Sequence, residues 1–165
     1  MTVITIGNAA ITRASIGYAG TTYVDEFAPA DGTGTIDTIK AFMYIATTAT
    51  AQVGIFYRTT GTSLSTRSVA DLGPLAIGLN TITGLSLAVE TGDFIGIYHA
   101  TNGNIRRSDI YGASQSKAGD QIPSNNVDFG AAGTMILSLQ GTGTTPSNSP
   151  FPTYLPEELD TEGAC

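Results

Sequence analysis

Residues 84–98 read GLSLAVETGDFIGIY, and this stretch decides the fold class. Two apolar runs, Leu85 to Val89 and Phe94 to Tyr98, flank the polar corner Glu90-Thr91-Gly92-Asp93. Gly92 can take a positive φ without steric cost, and Asp93 can accept hydrogen bonds from nearby backbone amides, so a tight turn is expected. The second run is apolar on both faces, as in a strand enclosed by a packed sandwich.

Upstream, Thr35 to Ala46 is the longest strand pattern. Its alternation puts Ile39, Ala41, Met43 and Ile45 on one face and Lys40, Phe42 and Tyr44 on the other, predicting an apolar core face and an amphipathic outer one. Ala51 to Arg58 follows at a spacing that suggests an antiparallel hairpin with it. Ser63 to Asp71 reads as a polar edge strand ended by Leu72-Gly73-Pro74. Residues 2–24 read as edge strands, and Asp25 to Gly34 as a loop marked by Pro29 and Asp31-Gly32. Downstream, Asn102-Gly103 is a strong type I′ hairpin signal, with Ile105 to Tyr111 as the returning strand. Gly112 to Asn126 reads as a polar excursion, and Thr134 to Gln140 closes the sheet. About nine short strands and no helical periodicity predict an all-β fold, a single jelly-roll-like antiparallel β-sandwich.

The composition agrees. The chain has 165 residues, enough for one core, and its 20 glycines and many threonines disfavour helices. Only 13% of residues are charged, against roughly 25% in ordinary soluble domains. Thr, Ser, Gly and Ala fill the gap, as in rigid extracellular or virion proteins. The formal net charge is −7, with Glu157, Glu158, Asp160 and Glu162 concentrated in a C-terminal segment that has no base. Such a chain is not built to bind nucleic acid, which needs clustered Lys and Arg. Cys165 is the only cysteine, so an intrachain disulfide and a Cys-rich zinc site are excluded. No secretory signal and no apolar run of roughly 20 residues is visible, so no membrane partner is expected. A surface-type composition without a signal points to a virion component.

From Gly141 the character changes. GTGTTPSNSP has linker composition, and four of the seven prolines (146, 150, 152 and 156) favour an extended, polyproline-like backbone. The division expected is a sandwich over 1–140 and an extended tail over 141–165. Phe151, Tyr154 and Leu155 are the side chains in that tail suited to anchor it on a neighbouring subunit.

The pattern at Leu85 to Tyr98 resembles the late hairpin of jelly-roll modules, including carbohydrate-binding modules and virus or phage surface proteins. With Gln52-Val53-Gly54-Ile55-Phe56-Tyr57 and Gly119-Asp120-Gln121-Ile122-Pro123, residues 35–140 resemble small β-sandwich proteins of environmental and phage genomes. The resemblance is one of pattern, and it transfers no functional residue.

Candidates for chemistry are few. His99 is the only histidine, and no Gly-x-Ser-x-Gly elbow accompanies it. Most acids lie in turn-forming loops rather than as a facing pair for glycoside cleavage. Asp31 to Asp37 and Glu90 to Asp93 offer oxygen ligands of the type calcium takes, without the EF-hand pattern. Tyr98, His99, Asn102, Arg106, Asp109 and Tyr111 fall on one expected hairpin and have the residue types of a glycan patch, although the chain has no Trp. The expectation is a non-enzymatic, cofactor-free structural subunit of a virion, such as a capsid-decorating or tail- or fibre-associated protein. It assembles through its tail, as a homo-oligomer or with a neighbouring virion protein. The alternatives are a carbohydrate-binding module or adhesin, and a self-assembling extracellular filament subunit.

Overall fold

A computed structural model describes residues 1–130 and 132–147. Fourteen strands and no helix form among them: β1 (Val3–Gly7), β2 (Ser15–Gly17), β3 (Thr21–Asp25), β4 (Gly34–Ile45), β5 (Ala51–Thr60), β6 (Ser63–Gly73), β7 (Gly78–Ile82), β8 (Leu87–Val89), β9 (Phe94–His99), β10 (Asn104–Ser108), β11 (Ser114–Ala118), β12 (Val127–Asp128), β13 (Ile136–Leu137) and β14 (Leu139–Thr144). Two antiparallel sheets pack face to face. The first runs β1-β14-β4-β10-β13, with β2 also on β10 and β7 and β8 also on β4; the second runs β11-β3-β9-β5-β6-β12. The chain is an antiparallel β-sandwich, as expected, but the expected start of the linker at Gly141 is corrected: Gly141 to Thr144 continue β14, paired with β1 on one side and β4 on the other. The expected count of about nine strands is too low, because short polar pieces such as Ser114–Ala118 pair without the apolar alternation that marks a strand in sequence.

Period-2 alternation builds the core. Ile4, Ile6, Ile36, Ile39, Ala41 and Met43 of the first sheet meet Val53, Ile55, Ile95 and Ile97 of the second, all fully buried. Each such side chain contributes about 1.5–3 kcal/mol on burial. The second sheet is covered on its outer face as well. There Val24, Phe56, Leu64, Ile122 and Phe129 form a smaller cluster, with Phe56 and Phe129 edge to face at 6.0 Å between ring centroids. Gly112 to Asn126 is thus more than a polar excursion: it contains β11 and delivers Ile122 to this cover.

Three expected hairpins are corrected. β4 and β5 lie in different sheets, as do β8 and β9, and as do β9 and β10. Each connection crosses the sandwich instead of pairing its neighbours, the wrapping on which Greek-key and jelly-roll folds are built. The turn chemistry itself holds: Asn102 and Gly103 both have positive φ (50° and 83°), and so does Gly92 (92°). Local turn geometry reverses the chain, but tertiary pairing decides which sheet receives it. β3, expected at an edge, lies between β11 and β9. β6 is paired along its length by β5 and on its other side by β12 only at Ser63 and Leu64, so its edge character holds.

Ile45 departs from the expected core face and is 43% exposed. The cause is a bulge: Asn104 pairs with Ile45 and Ile105 with Met43, leaving Tyr44 as an extra residue. An extra residue inverts the alternation beyond it, so Tyr44 and Ile45 both reach solvent.

Candidate assembly surface

The residues expected to form a glycan patch are divided between the two sheets. Tyr98 is half-buried against the Phe56 cluster on the second sheet. His99, at the end of β9, is fully buried, and neither ring nitrogen has a well-formed hydrogen bond among the described residues. Burial pushes its imidazole below the usual range, opposed only in part by the Asn102 backbone. Asn102 is exposed in the crossing turn. Arg106 lies on the first sheet, its guanidinium 4.3 Å from the centroid of the Tyr44 ring. Asp109 pairs with Arg107 at 3.2 Å. Tyr111 stands 86% exposed at a loop tip with positive φ. The tail anchors Phe151, Tyr154 and Leu155 lie outside the described residues.

The carboxylates serve the fold. Asp93 is 3% exposed and accepts from Arg67 Nε at 2.6 Å and Nη2 at 3.1 Å, and from its own turn through Glu90 N at 2.8 Å. Arg67 also reaches Glu90 at 2.8 Å and lies over the Tyr57 ring, tying β6 to the corner before β9. Asp25 is fully buried and accepts from Asn8 Nδ2, Phe27 N and Leu137 N at 2.9, 3.0 and 2.7 Å, joining the sheets. Desolvation raises its pKa despite those three donors. Asp31 accepts from Thr5 N and Asp37 from Thr38 Oγ1. Among the described residues no group of three or more His, Cys, Asp and Glu side chains could hold a metal ion.

The feature that the fold leaves unused is the outer face of the first sheet. Phe42 points outward from β4, directly across from Leu79 on β7, which is 56% exposed. Tyr44 and Ile45 extend the apolar surface along β4, and Ile77, just before β7, is 71% exposed. On the other side Ser138 Oγ donates to Ile11 O at 2.6 Å and Arg106 Nη1 donates to Arg13 O at 3.0 Å, which fastens Ile11 to Arg13 beside Phe42. Lys40 stands one rank along β4, between Gln140 of β14 and Thr81 of β7.

Charge is distributed unevenly around this face. The salt bridges among the described residues engage Arg58, Arg67 and Arg107, and none engages Lys40 or Arg106. From Leu72 to Val89 the chain has no charged residue. Within that run, β7 pairs with β4 alone among the described strands. The alternation of β4 made Phe42 and Tyr44 legible as an amphipathic face. Leu79 and Ile77 escaped sequence reading because their place depends on β7 pairing with β4 rather than with its chain neighbour β8. No protein-family model, curated protein or solved structure matches the chain.

Proposed function

We propose that the chain is a non-enzymatic structural subunit that assembles with like or neighbouring subunits, as a capsid-decorating or tail- or fibre-associated component of a virus or phage particle. The observation that supports this reading most is the apolar outer face of β4 and β7, where half-buried Phe42 pairs with exposed Leu79 and Tyr44 is exposed two residues along β4. Large apolar patches on a soluble domain mark interaction surfaces. The low-charge, Thr- and Gly-rich composition favours a rigid particle component, and the segment that follows β14, from Thr145 to Cys165, serves as the assembly arm. Phe151, Tyr154 and Leu155 gain affinity by leaving water on an adjacent subunit.

The test is a triple variant, Phe151→Ser, Tyr154→Ser and Leu155→Ser. It is expected to elute as a monomer in size-exclusion chromatography with an unchanged circular dichroism spectrum. Assembly equal to that of the parent chain would overturn the reading.

A further inference from the structure

We propose that the outer face of the first sheet around Phe42, Tyr44 and Leu79 is the surface on which residues 150–162 dock; that the docked segment comes from a neighbouring copy rests on the assembly reading above. Complementarity of type is the first reason. The segment presents Phe151, Tyr154 and Leu155, followed by Glu157, Glu158, Asp160 and Glu162 without a base. The face offers apolar side chains flanked by Lys40 and Arg106, which no described acid engages. Its β7 side lies in the uncharged run from Leu72 to Val89, so an acidic segment meets no like charge there.

Backbone chemistry is the second reason. Prolines 150, 152 and 156 lack the N–H that a strand would need to pair along the free edge of β7. The segment therefore docks by its side chains on a face, in the manner of proline-rich ligands on aromatic surfaces. A segment docked in polyproline geometry, at three residues per turn, turns Phe151 and Tyr154 toward the face together.

Reach is the third. Thr144 pairs with Thr35, and Tyr44 lies nine residues farther along β4, about 30 Å away at strand spacing. Leu155 is eleven residues beyond Thr144, about 34 Å in polyproline geometry. Thr145 N donates to Thr2 O, so the chain is still running away from Tyr44 when it leaves the ladder, and this length does not return the apolar anchors to the face of their own copy; the face they meet is that of a neighbouring one.

Photo-crosslinking of the full chain decides the matter. Leu79, exposed and outside the core, is replaced by benzoylphenylalanine, and equal amounts of ¹⁴N and ¹⁵N protein are mixed before irradiation and mass spectrometry. The expected result is crosslinked peptides joining position 79 to residues 148–165, with mixed isotope pairs. Crosslinks to that segment in unmixed pairs only would uphold the docking surface and contradict the assembly reading. Crosslinks from position 79 to other segments alone, including β7 of a second copy, or no crosslink, would overturn the proposal.

Discussion

His99 shows how a single side chain sets the conditions under which the sandwich holds. It is the only imidazole in the chain, fully buried, and its folded-state pKa lies below the ordinary 6.5. As pH falls, the unfolded chain therefore takes up this proton first. The contribution to stability is complete above about pH 6.5 and is lost as pH drops toward the folded-state value. Asp25 and Glu26 act in the opposite sense, because burial raises both, so the folded chain binds those protons first and gains stability as pH falls through their folded-state values. Between pH 8 and pH 5 the parent chain is expected to lose urea midpoint on acidification relative to His99→Leu, which lacks this titration. An identical slope in the variant would remove His99 from the account. At this scale the sequence is legible where chemistry is local: Gly92 and Asp93 make the turn their residue types announce. Arg67 is not legible as the partner of Asp93, because the pair ties β6 to the corner before β9 across 26 positions. The exposure of Ile45 is equally hidden, since it depends on one unpaired residue in β4.

At the scale of elements, alternation identifies strands but not their partners. The segments on either side of Glu90–Asp93 and of Asn102–Gly103 form strands as expected, yet each pair is separated between sheets. Which strands become neighbours is fixed by close approach. Gly54 and Gly96 face one another across β5 and β9, and the Phe56 ring fills the space that both lack. A Cβ on Gly96 would lie 2.6 Å from Phe56 Cε2 and 2.7 Å from the Tyr23 carbonyl oxygen. Gly96→Ala therefore has to displace the ring or the β3 backbone, at a cost of about 1–3 kcal/mol. Equilibrium denaturation measures this, and an unchanged midpoint would show that the outer cluster adapts freely. Phe56 reads in the sequence as one more alternating residue of β5. Its role depends on Ile122 and Phe129 arriving from a later, polar-looking segment.

At the scale of the whole molecule, a core enclosed by two sheets accounts for the inward residues, and a second cluster accounts for much of the outer side of the second sheet. The outer side of the first sheet remains apolar at its β4–β7 end, with Lys40 and Arg106 beside it. The amphipathic character of that strand is readable from residues 35–46 alone. The breadth of the surface is not, because it is completed by Leu79 and by the fastening of Ile11 to Ser138. Under the assembly proposed above, this face is where a neighbouring copy is received. Sedimentation equilibrium of the unmodified full chain over a range of concentrations tests the claim most directly. A self-assembling chain gives a mass at a multiple of 17.0 kDa, or a concentration-dependent rise toward one. A constant mass of one chain at every concentration would contradict self-assembly.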